Sequence, residues 1–167
     1  MIDYVNMVRP GHEYYDHPYV DKLRHWQHRY EPLFSDETLP VAMIHGDMFA
    51  DNCLFDADDK LTAVLDFEEI FYGPAILDLA GTLLGCCYMP DGSLNYQYAD
   101  AMIDGYNATR PLSPREWEVL PDCMVFMLAA TAFWRFRQFN IRFPDLGLQE
   151  HYNELSSRID LGSFDRY

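Results

Sequence analysis

The feature that most constrains this fold is a polar loop enclosed by short apolar runs. Residues 41–44 and 53–55 are apolar and flank the polar loop formed by residues 45–52. Residues 56–60 are mostly aspartates, a composition typical of turns, and residues 61–67 form a third, mainly apolar run that includes β-branched residues. This order predicts a strand, a loop, a strand, a turn and a strand, which brings the end of the loop close to the end of the third strand.

Three side chains of this unit have the spacing of a phosphoryl-transfer site. Asp47 can hydrogen-bond an attacking hydroxyl and accept its proton. Asn52, five residues later, and Asp66, at the end of the third strand, offer the hard oxygen ligands that Mg²⁺ prefers. His45 is expected to support the loop through hydrogen bonds. The sequence therefore predicts Asp47 and His45 as catalytic residues, and Asn52 and Asp66 as ligands of a metal that holds a nucleotide.

Each of these residues alone has a simpler interpretation, because a single Asp or His on a loop is usually a solvated side chain. The combination of H-x-D-x-x-x-x-N with flanking strands and a following strand that ends in Asp-Phe is far rarer. With these motifs, the chain resembles the aminoglycoside phosphotransferase and choline kinase superfamily, nearest to the bacterial homoserine kinase type. The matching stretches are residues 44–55, 64–67, 77–80, 91–94, 105–112 and 133–135.

The resemblance implies an α+β fold: the mainly helical carboxy-terminal lobe of a protein-kinase-like fold, with a small β-hairpin or sheet that carries the catalytic loop. It implies ATP as co-substrate, Mg²⁺ as cofactor, and a small-molecule hydroxyl acceptor such as homoserine or a related amino alcohol. Asp47 matches the catalytic base, and Asn52 and Asp66 match the Mg²⁺ ligands. Asp78 matches a family residue that sits on a helix beneath the loop and hydrogen-bonds its backbone.

The same resemblance implies that part of the enzyme is absent from this chain. Residues 1–40 contain no glycine-rich phosphate loop, and Lys22 lies in a helical pattern rather than on a strand. We therefore expect residues 1–18 to be an irregular lead-in and residues 19–167 to form a single carboxy-terminal lobe, with the amino-terminal lobe absent. The expected partners are a separate amino-terminal lobe or a second copy of the chain.

Charge and cysteine content narrow the class of protein. The net charge of −15 and the pI of about 4.5 argue against nucleic acid and anionic membranes as partners. The four cysteines show no zinc spacing, so we expect buried free thiols. With no signal peptide and no expected apolar stretch of membrane-spanning length, the sequence predicts a cytoplasmic protein.

Three charged residues are candidates for binding the acceptor. Arg135 lies in an apolar helical run and could bind a substrate carboxylate. Glu68 and Glu69 follow Asp66 and could bind a substrate ammonium group. The alternatives are that Arg135 pairs with a buried acid such as Asp78, or reaches water, and that the two glutamates are loop charges.

The remaining pattern is helical. Ser113-Pro114-Arg115-Glu116 predicts a capping box at a helix start, and Pro121 predicts a break soon afterwards. The predicted helices span about residues 19–34, 76–88, 95–109, 123–139 and 146–159.

Two alternatives to a kinase remain open: a non-catalytic binding module derived from a kinase lobe, and a hydrolase that uses Asp47 with a metal.

Overall fold

A computed structural model describes residues 8–89 and 91–160 of the chain. These residues fall into two compact units. Residues 8–36 and 128–160 form the first unit, and residues 37–89 and 91–127 form the second. The second unit contains the polar loop and the residues around it.

The architecture is α+β, with mostly helices and small antiparallel sheets, as the sequence predicts. Short 3-10 turns cover Glu31–Phe34, Ala50–Asn52 and Phe67–Glu69, and a π-helical segment covers Arg137–Arg142. The main elements in chain order are α1 Pro18–Tyr30, β1 Val41–Ile44, β2 Cys53–Phe55, β3 Leu61–Val64, β4 Phe71–Pro74, α2 Ile76–Cys87, α3 Tyr96–Thr109, α4 Pro114–Phe136 and α5 Asn153–Asp160.

The described strands of the second unit form two separate two-stranded sheets. β2 pairs antiparallel with β3, as predicted, and β1 pairs antiparallel with β4. In the β1–β4 sheet, Met43 is paired with Tyr72, and Val41 lies two residues away on the same face. This face is open, since Val41, Met43 and Tyr72 keep 52%, 61% and 68% of their surface exposed.

Two strand predictions need correction. The third strand ends at Val64 rather than continuing to Phe67, because Asp66 adopts a left-handed backbone conformation that cannot continue a strand. β4 is not predicted by the sequence analysis, since Gly73 and Pro74 are unfavourable in strands.

Helix α2 forms the buried support of the second unit. Its sequence, ILDLAGTLLGCC, combines large aliphatic residues with Ala and Gly, so other segments can approach its backbone closely. Leu79, Ala80 and Leu83 keep at most 2% of their surface exposed. The helix therefore gives a firm surface on which the polar loop can rest.

Helix α4 begins with the predicted capping box. The backbone N–H of Glu116 donates to Ser113 Oγ at 3.2 Å, and the N–H of Ser113 donates to Glu116 Oε2 at 2.9 Å. The predicted break at Pro121 is wrong, because the helix runs continuously from Pro114 to Phe136. Buried residues on both sides of Pro121, such as Leu120 and Met124, hold the helix together through packing.

The segment Pro114–Arg142 also corrects the expectation that no apolar stretch reaches membrane-spanning length. Its length and composition would allow it to cross a membrane. However, 61% of its most apolar 18-residue window is buried within the structure. A core helix passes the same test, so this segment is weak evidence for a membrane span.

In the first unit, α1 is followed by a 3-10 turn, so the predicted helix over residues 19–34 is α-helical only to Tyr30. The predicted last helix begins at Asn153 rather than at residue 146, and the preceding residues form turns. Residues 8–17 of the predicted lead-in form bends and turns, and residues 1–7 lie outside the described part. Aromatic packing holds this unit together, with Tyr19 and Tyr152 rings 4.2 Å apart.

Candidate active site

The polar loop between β1 and β2 is anchored at its start by α2. Asp78, in the first turn of α2, accepts hydrogen bonds from the backbone N–H groups of His45, at 2.8 Å, and Gly46, at 2.9 Å. Gly46 has φ +81°, and a Cβ atom there would lie 2.8 Å from the carbonyl oxygen of Glu69. The start of the loop therefore requires both the Asp78 carboxylate and a glycine.

His45 connects the loop to the segment that carries Asp66. Its ring is buried, and Nε2 lies 2.8 Å from the carbonyl oxygen of Leu65. The N–H of Asp47 donates to Nδ1 of the same ring at 3.3 Å. A carbonyl can only accept and an N–H can only donate, so these contacts require the proton on Nε2 and an unprotonated Nδ1. The Phe67 ring packs on the imidazole, with 4.7 Å between centroids.

Asp47 and Asn52 are joined directly. The side-chain amide of Asn52 donates to the Asp47 carbonyl oxygen at 2.8 Å and to Asp47 Oδ2 at 3.1 Å. Partial burial raises the pKa of Asp47, the nearby carboxylates of Asp66 and Asp51 raise it further, and the Asn52 hydrogen bond opposes the rise. Asp47 is thus a half-buried carboxylate of increased basicity, which suits proton acceptance.

Asp66 lies two residues after the end of β3. Its backbone is left-handed, with φ 61° and ψ 66°, a conformation that Asp tolerates better than most residues. The N–H of Leu65 donates to the carbonyl oxygen of Asn52 at 2.9 Å, which places Asp66 one residue from a main-chain contact with Asn52. The two side chains predicted as metal ligands therefore lie at the same end of the β2–β3 hairpin, with Asn52 directly before β2 and Asp66 two residues after β3.

These residues fit a Mg²⁺ ion in their donor chemistry. Because the side-chain nitrogen of Asn52 donates to Asp47, the side-chain oxygen of Asn52 remains to bind a cation. Mg²⁺ usually takes one or two protein oxygens and completes its shell with phosphate and water. No group of three or more His, Cys, Asp or Glu side chains able to hold a metal occurs within residues 8–89 and 91–160.

The structure brings together Asp47, His45, Asn52, Asp66 and Asp78, and it places Glu68 and Glu69 on the exposed turn directly after Asp66.

Arg135 belongs to the other unit. Its Nη1 donates to Glu154 Oε2 at 2.8 Å, so its acid partner here is Glu154.

Two contributors to the site could not be predicted from the sequence. The Leu65 carbonyl that meets His45 is a main-chain group, which no motif can reveal. The second contributor is Gly85, on which Phe49 of the loop rests. It is one of several small residues in α2, and only its position within an apolar helix, where glycine is unfavourable, could have indicated a special role.

Comparison with known proteins confirms the resemblance described above. Residues 9–112 match the model of a phosphotransferase enzyme family, APH. The homoserine kinase of Caulobacter vibrioides (strain NA1000 / CB15N) is 40% identical over 115 residues, which cover 69% of this chain and 34% of that protein. The homoserine kinase of Methylobacillus flagellatus is 32% identical over 153 residues, which cover 89% of this chain and 45% of that protein.

A third relative, the homoserine kinase of Xanthobacter autotrophicus, is 41% identical over 83 residues, or 50% of this chain and 26% of that protein. The chain thus spans less than half the length of these curated relatives.

Proposed function

We propose, from the premise that this chain belongs to the phosphotransferase enzyme family, that it carries the catalytic loop of an ATP- and Mg²⁺-dependent kinase. The acceptor is a hydroxyl group of homoserine or a related amino alcohol, and the site works in the cytoplasm. The observation that carries the proposal is the pair of hydrogen bonds from the Asn52 amide to Asp47, which holds a base and a metal ligand in one fixed arrangement.

Each residue then has a distinct role in phosphoryl transfer. Asp47 accepts the proton of the attacking hydroxyl, because burial makes its carboxylate more basic than an exposed one. Asn52 and Asp66 would hold Mg²⁺, which neutralises negative charge on the phosphates when it is bound. His45 positions Asp47 and Asp66, since its ring contacts the backbone N–H of Asp47 and the carbonyl oxygen of the residue before Asp66.

The acceptor contacts are proposed from the charges of three side chains. Glu68 and Glu69 are exposed beside Asp66 and are the candidate partners of a substrate ammonium group. Arg135 is the candidate partner of a substrate carboxylate, which would have to compete with Glu154 for the guanidinium.

We further propose that this chain is incomplete as a kinase and that another polypeptide, or a second copy, completes the site. Lys60 is the only Lys or Arg between residues 37 and 109, so the stretch that contains the loop offers little positive charge for the phosphates of ATP. The open apolar face of the β1–β4 sheet supports the same conclusion, since a patch of this kind usually marks an interaction surface.

The test is phosphate transfer from Mg·ATP to a panel of homoserine, choline, ethanolamine and hydroxylysine. Replacing Asp47 with Asn is expected to reduce turnover by about 10² to 10⁴-fold, because general-base assistance is lost. Asp58→Asn is the matched control, since it removes the same charge from the exposed turn between β2 and β3. Equal and measurable turnover by wild type and Asp47→Asn, with the remaining part of the Caulobacter vibrioides homoserine kinase added if the chain alone is inactive, would contradict the proposed role of Asp47.

The alternative is a non-catalytic binding module derived from a kinase lobe, which the shortage of basic residues around the loop also favours. Electron paramagnetic resonance of Mn²⁺ separates the two. Metal binding that Asn52→Ala and Asp66→Asn weaken, together with turnover, supports the kinase. A folded chain without turnover, even when the remaining part of the Caulobacter vibrioides homoserine kinase is added, supports the binding module.

A further inference from the structure

The middle of the catalytic loop rests on a glycine of α2. A Cβ atom added to Gly85 would lie 2.7 Å from Cδ1, 2.8 Å from Cγ and 2.9 Å from Cα of Phe49. Real Cβ atoms do not approach other heavy atoms so closely, and one of the three contacts is with the backbone rather than with a flexible side chain. An alanine at position 85 therefore cannot be accommodated by turning the Phe49 ring alone.

Phe49 is also the main-chain link between the proposed base and the proposed metal ligand. Its N–H donates to the carbonyl oxygen of Asp47 at 2.9 Å, and its own carbonyl accepts from the N–H of Asn52 at 3.0 Å. A shift of the Phe49 backbone thus moves both Asp47 and Asn52, or breaks one of these two hydrogen bonds.

The helix is the firmer partner in this contact. Leu79, Leu83 and Cys87 of α2 keep at most 2% of their surface exposed, whereas Phe49 is only half-buried. Asp78, seven residues before Gly85, fixes the start of the same loop. Residues seven apart lie on one side of an α-helix, so the loop is held at two points along one side of α2.

We propose that Gly85 is a positioning residue, which sets the placement of Asn52 relative to Asp47 by allowing Phe49 to lie directly on α2. The inference rests on the proposed function for its consequence, metal binding, but not for its geometry. It assigns a functional reason to a glycine inside a buried helix, a position where alanine would otherwise be preferred.

The test is Gly85→Ala, compared with Gly81→Ala as the matched control. Both changes add one methyl group to α2 with the same gain in helix propensity. At Gly81, however, the added Cβ would meet only the terminal methyl group of Met127 at 3.0 Å, and that flexible side chain can turn away. Two properties are measured: amide chemical shifts in ¹H–¹⁵N spectra and Mn²⁺ affinity by electron paramagnetic resonance.

We expect Gly85→Ala to shift the amide signals of Asp47, Phe49 and Asn52. It should also weaken Mn²⁺ binding about tenfold or more, because substitutions of residues that orient a metal ligand commonly have effects of that size. Gly81→Ala should leave both properties as in wild type. Unchanged loop signals in a folded Gly85→Ala protein would overturn the inference, and so would equal effects of the two alanines on Mn²⁺ binding.

A second variant covers the case in which Gly85→Ala does not fold. Phe49→Ala removes the ring that lies on Gly85 without adding any atom, and it should also weaken Mn²⁺ binding and shift the Asn52 amide signal. No change in either property would overturn the inference. If wild type itself bound no Mn²⁺, the proposed function would fail, while the amide signals would still test the positioning role of Gly85.

Discussion

Glu116 is a fully buried carboxylate whose charge is balanced locally. Arg110 forms an ion pair with it, and the Ser113 backbone N–H donates to it at the start of α4. Burial alone would raise the pKa of Glu116, but the hydrogen bonds from Arg110 and Ser113 outweigh burial and lower it below the ordinary value of 4.5. The ionised form is therefore the one that the fold stabilises.

The sign of the pH dependence follows from that shift. Since the folded chain holds this proton less tightly than the unfolded chain, the contribution of Glu116 is present above pH 4.5 and is lost as the pH falls further. Glu116→Gln is expected to lower the free energy of unfolding at pH 7 by about 2 kcal/mol, because the hydrogen bonds from Arg110 and Ser113 to the buried side chain lose the charge of their acceptor. Urea unfolding at pH 7 and pH 4 measures both effects, and the difference in stability between the two proteins should be smaller at pH 4.

Glu118→Gln is the control for that comparison. Glu118 also pairs with an arginine, Arg115, but both side chains are exposed, at 68% and 40%. The expected cost is about 0.5 kcal/mol or less. A similar loss in the two variants would show that burial does not strengthen the Glu116 contact.

At the scale of elements, α4 continues through Pro121 although proline has no N–H to donate to Trp117, four residues earlier. Pro121→Ala is expected to raise the free energy of unfolding by about 1–3 kcal/mol, because it restores a helical hydrogen bond and removes a steric conflict. Thermal unfolding followed by circular dichroism measures the change.

Pro114→Ala tests the same substitution at a position where proline does not destabilise the helix. Pro114 is the first residue of α4, and its missing N–H has no helical partner in any case. We expect a change within about 0.5 kcal/mol. A stabilisation at position 114 as large as that at 121 would contradict the explanation.

These elements also show why sequence reasoning succeeded in part. The polar loop, β1 and β2 were predictable because a motif of fixed spacing lies between short apolar runs, and the α4 start was predictable because a capping box depends only on local residues. Pro121 misled the prediction because tertiary packing overrode a local preference. β4 depends on pairing with β1, which is distant in sequence, and His45 contacts the Leu65 carbonyl twenty residues later, so no local pattern reveals either.

At the scale of the whole molecule, a net charge of −15 coexists with exposed apolar residues on the small sheets. Charge repulsion between copies opposes contact, while the apolar side chains of Met43, Phe55 and Tyr72 favour it. Added salt screens only the first effect, since the Debye length falls from about 30 Å at 0.01 M to about 3 Å at 1 M. We therefore expect self-association to increase with NaCl concentration.

Sedimentation velocity at low and high NaCl measures this directly. Met43→Ser with Tyr72→Ser should reduce the salt-induced association, because it replaces two neighbouring exposed side chains of one sheet face. Association that weakens as salt is added would instead indicate ion pairs between copies and would contradict the apolar interpretation.

The left-handed backbone of Asp66 has a consequence for how such a chain can change over generations. Asp, Asn and Gly are the residues that this conformation accepts most readily, and a single-nucleotide change converts an Asp codon into a codon for either of the other two. Both replacements would keep the backbone and discard the charge. A lineage could thus give up the proposed metal binding in one genetic step without disturbing its fold, so the change from the proposed kinase to a binding protein would be a short one at this position.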